Sequence, residues 1–307
     1  MKLLIDELNT EELETKKYTI NNPIKQQNTT KLFDLKLLEE TLKQNSHNKN
    51  KNYSKYSENL SGYDISKKCI RDTLFRIRSI PVQDYSDKWL PVSFRNELGT
   101  SVHNFLQTNG SNQFTELEVT LKVPSLHVSC RLDGLIGNNV LVEIKSCPYS
   151  DYDTIIKKNQ PRQTDFYQAL LYKYLIENYL EEIKQQQPSR GGKLPQLNKY
   201  NIEHIQFIYV CHELAVADSD DLNSAVKFAG ELRKSLNSQK NPFWFLTTLT
   251  IDMTSLNIDP YIDYLKKRIE QFNYYLQNGQ TPPKNHPYVD MKSCFFCLYK
   301  DYCGKIA

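Results

Sequence analysis

The chain has 307 residues, a formal net charge of +3 and 39% hydrophobic residues, which suits one domain of about 200 residues with solvated appendages. No apolar run approaches the roughly 18 residues that span a bilayer, so no membrane partner is expected. The start, MKLLIDELNTEELE, turns acidic after a very short apolar run, which fits neither a secretory signal nor an Arg-rich transit peptide. An intracellular, non-secreted protein is the expectation.

Residues 1 to about 60 read as a poorly structured extension, with helical periodicity only over Thr30 to Lys43, followed by a polar Asn/Lys/Ser run typical of a linker. Ser66 to Arg78 predicts a helix with Ile70, Leu74 and Ile77 as its apolar stripe and Cys69 beside it. Ser93 to Gln107 predicts a second helix, capped by Ser93, with Phe94, Leu98, Val102, Phe105 and Leu106 facing the core. Gly99 and His103 lie one turn apart on it. A glycine there permits close approach of a neighbouring element, and His103 borders the apolar stripe. Phe114 to Val123 alternates as a strand. Glu116 and Glu118 share one of its faces, and either could reach a site built on the next two strands.

Those two strands form the hairpin Ser129 to Cys147, SCRLDGLIGNNVLVEIKSC. Gly137-Asn138-Asn139 is the turn, built from residues that tolerate positive φ. A three-residue loop sets Ile136 opposite Val140, Gly134 opposite Val142 and Leu132 opposite Ile144. The other face then pairs Leu135 with Leu141, Asp133 with Glu143 and Arg131 with Lys145. Two carboxylates directly opposite each other repel. A divalent cation between them removes the clash, since Mg²⁺ and Mn²⁺ prefer carboxylate oxygens, and Lys145 could then hold or polarise a water. An exposed strand face of mixed charge is the competing reading.

Pro161 starts a long helix on which Gln163 and Tyr167, four apart, share a face and Phe166, Leu170 and Tyr174 form a core stripe. Glu182 to Asn198 reads as a polar surface insertion. Ile202 to Cys211 is a strand, Ser224 to Leu236 a helix, Phe243 to Ile251 a strand, and Asp259 to Leu276 an amphipathic helix. Three basic clusters, Arg71/Arg76/Arg78, Lys157/Lys158/Arg162 and Lys266/Lys267/Arg268, read individually as solvated helix faces.

Seven cysteines, an odd number without an export signal, fit a reducing compartment. Cys130, Cys147 and Cys211 lie in strand-like contexts as small buried hydrophobes. Cys294, Cys297 and Cys303 have metal-ligand spacing and lack a fourth ligand. Cys69, outside the strands, supplies it best, which would clasp the two ends of the domain. A C-terminal helix with incidental cysteines is the plainer reading.

Together these pieces resemble the PD-(D/E)XK nuclease superfamily, and more narrowly its RecB-like exonucleases with an iron–sulfur cluster. That group holds the CRISPR-associated adaptation exonuclease, subunits of bacterial recombination complexes, and related phage and eukaryotic exonucleases. The matching pieces, in order, are Cys69, GTSVH with His103, RLDG with Asp133, VEIK with Glu143 and Lys145, QTDFY with Gln163 and Tyr167, and the C-terminal cysteines. The resemblance implies an α/β, restriction-endonuclease-like core over residues 61–307, a mixed central sheet flanked by helices, with cluster-binding helical segments at both ends. It implies that His103, Asp133, Glu143 and the Ile144 carbonyl hold Mg²⁺ or Mn²⁺, and that Lys145 positions water or stabilises phosphorane-like charge. Gln163 and Tyr167 would support the site and contact DNA. Cys69, Cys294, Cys297 and Cys303 would hold a [4Fe–4S] cluster, with Zn²⁺ as the alternative. The implied activity is hydrolysis of single-stranded DNA or DNA ends in repair, recombination or processing, with possible protein partners from such a complex. A catalytically silent DNA-binding or assembly module is the alternative, against which the intact His103/Asp133/Glu143/Lys145 set argues. The insertion near Gln185 to Leu197, the N-terminal segment and the absence of Pro before Asp133 depart from the pattern.

Overall fold

A computed structural model describes residues 59–66, 69–78, 86–189, 191–212, 245–289, 297 and 299–306. In chain order these form α1 (Gly62–Ser66), α2 (Ile70–Ile77), α3 (Ser86–Asn109), β1 (Glu116–Val123), β2 (Val128–Ile136), β3 (Val140–Cys147), α4 (Tyr149–Lys158), α5 (Gln163–Asn178), α6 (Leu180–Lys184), β4 (His204–Cys211), β5 (Leu246–Asp252), α7 (Asp259–Gln277) and α8 (Lys300–Lys305). The expected helices at Thr30 to Lys43 and Ser224 to Leu236, and Cys294, lie outside the described residues. No helix among the described residues is long and apolar enough to cross a membrane.

The sheet has the order β1-β2-β3-β4-β5. β1, β2 and β3 run as an antiparallel meander, β4 lies parallel to β3, and β5 returns antiparallel to β4. The fold is therefore α/β, a mixed five-stranded sheet flanked by helices. The β3–β4 connection has to be long because a parallel neighbour requires a crossover, and α4, α5 and α6 fill it. β4 is the most continuously apolar strand, and Ile205, Phe207, Ile208 and Tyr209 are fully buried because helices or strands cover it on both sides.

One face of the sheet carries the main core, where Phe166, Leu170 and Leu175 of α5 and Leu265, Ile269 and Phe272 of α7 pack on the strands. A smaller core on the other face joins Leu106 of α3 to Phe114, Val140, Val142, Ile144 and Ile208. Burying each such side chain contributes about 1.5–3 kcal/mol. α7 matches its expected span. Pro260 in its first turn supplies a preset φ, and Asp259 complements the helix dipole.

Several expectations are corrected by packing. The helix carrying His103 begins at Ser86, so Ser93 lies inside it. Phe105 is 51% exposed and does not face the core. The expected helix Ser66 to Arg78 is two elements, α1 and α2. α4 is additional to the expected helices. Residues 185–189 and 191–197 are a strap along the edge strand: Lys193 bridges Val119, its carbonyl accepts from the Thr120 amide and its amide donates to the Glu118 carbonyl. The strap covers backbone groups that an edge strand would otherwise present to other chains. Gly192 is required in it, since a Cβ there would stand 2.2 Å from Thr120 Oγ1.

The arginines of the basic clusters are structural, whereas Lys157, Lys158 and Lys267 are exposed as expected. Arg71 is fully buried and donates to the carbonyls of Pro282, Cys303 and Ile306. Arg76 pairs with Asp64, and Arg78 donates to the carbonyls of Tyr275 and Gln280. Arg268 is buried and donates to Ile65 and Asp64 carbonyls. Arg162 is shared by Asp151 and Asp165.

Candidate active site

The hairpin turn falls where expected: β2 ends at Ile136, β3 begins at Val140, and Gly137 has φ 63°. The register Ile136↔Val140, Leu135↔Leu141, Gly134↔Val142 is the expected one, but the ladder stops there. Leu132 does not pair with Ile144, nor Arg131 with Lys145. Instead the Ile144 amide donates to Asp133 Oδ2 at 2.7 Å. The aspartate side chain takes the place of the next backbone acceptor, so β2 and β3 fork at Asp133.

The β1–β2 ribbon changes at the same point. Its register runs continuously from Glu116↔Leu135 to Val123↔Val128, yet Glu118 and Asp133 are unpaired within it. Leu117 packs with the α3-side core, whereas Val119, two residues on, packs in the α5-side core. Period two would keep both on one face. Glu118 has φ 56°, a left-handed backbone that costs a residue with a Cβ about 1–3 kcal/mol and turns the ribbon over.

Helix α3 reads this fork with one stripe, Gly99, His103 and Gln107. Gly99 allows close approach as expected, since a Cβ there would lie 3.3 Å from Ser146 Oγ on β3. His103 Nδ1 lies 3.2 Å from Asp133 Oδ1. Gln107 Nε2 donates to the Asp133 carbonyl at 3.0 Å and to Glu118 Oε1. Of the two carboxylates left open in β1, Glu118 borders the site and also meets Arg131 Nε at 2.5 Å. Glu116 turns away to Tyr200 and the Gln196 amide.

Glu143 and Lys145 project from β3. Glu143 is 1% exposed, and its Oε1 lies 2.5 Å from Lys145 Nζ. Its Oε2 has no hydrogen-bond partner among the described residues. Lys145 Nζ also donates to Gln168 Oε1 at 3.0 Å, and Gln168 Nε2 donates to the Tyr172 hydroxyl at 2.5 Å. Gln163 and Tyr167 hydrogen-bond each other at 3.2 Å. Gln163 is exposed, and Tyr167 stacks on Tyr264 of α7. The pair touching Lys145 therefore has the same four-residue spacing five positions further along α5. The sequence carries that signal twice, as QTDFY and QALLY, and only the second reaches the lysine.

Burial opposes charge on all four central groups. Against it, the Asp133 carboxylate holds the His103 pKa above its ordinary value. Burial pushes Asp133 up, but His103, Lys145 and the Ile144 amide outweigh it and keep this carboxyl below the ordinary range. In Glu143 burial wins over Lys145 and lifts the carboxyl well above that range. Lys145 is also lifted, because the facing Glu143, with Asp165 and Asp133, outweighs its burial. Both members of the pair hold their protons tightly, Glu143 through its dry surroundings and Lys145 through opposing carboxylates.

No three His, Cys, Asp or Glu side chains among the described residues already converge to hold an ion. His103 is engaged by Asp133, and Glu143 Oε1 by Lys145. The donor set nevertheless suits a hard divalent cation: two buried carboxylates, the main chain of Ile144 beside them, and the unpartnered Glu143 Oε2. The cysteines divide. Cys130, Cys147 and Cys211 are buried in strands as expected. Cys69 is buried at the start of α2, Cys303 lies in α8, and Cys297 Sγ stands 3.9 Å from Asp72 Oδ1 of α2.

No family model matches the chain, and no curated protein matches it. Among solved structures it is similar to SSO0001, with 14% identity over 88% of this chain and 96% of that one, at a TM-score of 0.42. It is similar to an alkaline exonuclease, LHK-Exo, from Laribacter hongkongensis, with 12% identity over 72% and 89% of the two chains and a TM-score of 0.38. A phage related exonuclease from Haemophilus somnus 129PT gives 13% identity, 68% and 79% coverage and a TM-score of 0.38.

Proposed function

We propose that the chain is a divalent-metal-dependent deoxyribonuclease, an exonuclease acting on single-stranded DNA or DNA ends in repair, recombination or processing. The observation that carries this reading is the buried Asp133–Glu143–Lys145 cluster at the strand fork, with one Glu143 oxygen left without a partner. A protein interior tolerates such a carboxylate when a cation completes it. Perturbed ionisable groups gathered in this way are the usual mark of a catalytic site.

Asp133, Glu143, the Ile144 carbonyl and His103 would hold Mg²⁺ or Mn²⁺, which when bound supplies charge neutralisation at phosphate and lowers the pKa of water. His103 fixes the orientation of Asp133. Lys145 keeps a permanent positive charge in the same pocket, steadied by Gln168 and Tyr172, where a phosphodiester gains negative charge on attack. Gln163 and Tyr167, expected to support the site and contact DNA, hydrogen-bond each other away from Lys145.

The proposal extends to a [4Fe–4S] cluster on Cys69, Cys294, Cys297 and Cys303, with Zn²⁺ as the alternative. What supports it is the Cys-x2-Cys-x5-Cys spacing and the meeting of α2 with the C-terminal segment, through Arg71 to the Cys303 carbonyl and the edge-on contacts of Phe75 with Tyr299 and Tyr302. The test of activity is a time course on end-labelled single- and double-stranded DNA with Mg²⁺ or Mn²⁺. Asp133→Ala or Lys145→Ala is expected to abolish degradation while leaving the fold intact. Unchanged degradation by Asp133→Ala would overturn the assignment.

A further inference from the structure

Asp133 is held at three points, and only two have an evident part in binding a cation. Its carboxylate meets His103 and the Ile144 amide. The third point is its carbonyl. Across the ribbon Glu118 is left-handed and unpaired with Asp133, and its own carbonyl faces the strap, where it accepts from the Lys193 amide. The Asp133 carbonyl needs a donor in this buried place. Gln107, only 7% exposed, supplies the missing donor from α3 and spans the gap to Glu118 with the same nitrogen. Because Gln107 lies one turn after His103, a single helix face pins Asp133 both by its side chain and by its main chain.

We infer that Gln107 is a positioning residue: it keeps the strand fork open and sets the Asp133 carboxylate for the metal, without touching metal or substrate itself. Three independent features converge on it, namely the unpaired Glu118 and Asp133 inside a continuous register, the left-handed Glu118, and an amide buried between them. A glutamine is suited to this place because a neutral amide donates to a carbonyl and a carboxylate together without adding a charge to an already crowded set. Losing a partner that orients a metal ligand typically costs about 10–100-fold in affinity.

The inference rests on the metal reading of the site, and the experiment separates the two. Free Mn²⁺ is titrated by electron paramagnetic resonance against wild type, Asp133→Ala, Gln107→Met, Gln107→Asn and Thr120→Val, with thermal midpoints measured alongside. Gln107→Met keeps the volume and loses the donor; Gln107→Asn keeps an amide too short to span the gap. Thr120→Val removes buried hydrogen bonds to Ser189 in the same ribbon, away from Asp133. Both Gln107 variants are expected to bind Mn²⁺ about 10–100-fold more weakly, and Thr120→Val to lose thermal stability with wild-type Mn²⁺ affinity. Wild-type affinity in whichever Gln107 variant folds, or an equal loss in Thr120→Val, overturns the positioning role and leaves the metal site standing. No Mn²⁺ binding by wild type, or unchanged binding by Asp133→Ala, overturns the metal reading itself.

Discussion

Replacing Lys145 by Met tests whether Glu143 and Lys145 form a charge pair in a dry pocket. The methionine retains most of the volume, so the cost is electrostatic. Glu143 is 1% exposed and its carboxylate lies 2.5 Å from the ammonium. Stranding a buried charge in this way costs about 3–5 kcal/mol. Burial pushes the wild-type Glu143 carboxyl up to about 8, so wild type and variant both carry it protonated at pH 5, where removing Lys145 strands no charge. Between its unfolded and folded values the folded protein binds more protons than the unfolded one, and the stability of both proteins falls as pH rises. Above the wild-type value the wild-type carboxylate faces Lys145, whereas in the variant it stays buried without a partner or keeps its proton at a cost rising about 1.4 kcal/mol per pH unit. In EDTA, urea unfolding of Lys145→Met should therefore show a loss relative to wild type that is larger at pH 9.5 than at pH 5 by about 2 kcal/mol. An equal loss at the two pH values would refute the dry, paired arrangement.

Gln168→Leu should lower nuclease activity about 10–100-fold, whereas Gln163→Leu should leave it near wild type; comparing the two rates at equal metal decides which Gln–Tyr pair serves Lys145. Gly134→Ala would drive a Cβ to 2.4 Å from the Phe114 ring and is expected to cost about 1–3 kcal/mol in urea unfolding. Arg71→Met would strip buried donors from three carbonyls near the C-terminus. It should cost about 2–4 kcal/mol and make residues 299–306 the first segment released by limited proteolysis.

The parts of this fold that were legible in the sequence are those specified locally. The turn at Gly137, the alternation of β3 and the amphipathic stripe of α7 each depend on neighbours a few residues away, and each appears where expected. So does the inward His103, because its place beside an apolar stripe is a helical property. β2 alternates as expected only from Asp133 to Ile136, and Leu132 lies in the opposite core from Ile136. The start of α3 before Ser93 and the outward Phe105 are local misreadings, and the others concern partners distant in sequence. Arg71 and Arg268 look like solvated charge until carbonyls more than 200 residues away accept their hydrogen bonds. The strap looks like a polar loop until Lys193 pairs with the edge of β1. The QxxxY pattern occurs twice on α5, and five residues of helix turn the two pairs by about 140°, so only packing could choose between them. Glu118 carries no local signal for a left-handed backbone; its conformation follows from the strap on one side and Gln107 on the other.

The central claim is that the fork at Asp133, Glu143 and Lys145 holds a divalent cation that hydrolyses DNA. Degradation of end-labelled single-stranded DNA, followed with Mn²⁺, with EDTA, and with the Asp133→Ala protein, tests it most directly. The account predicts shortening of the labelled strand with Mn²⁺ alone, and none with EDTA or with Asp133→Ala. Degradation that persists in EDTA, or that Asp133→Ala carries out at the wild-type rate, would contradict it.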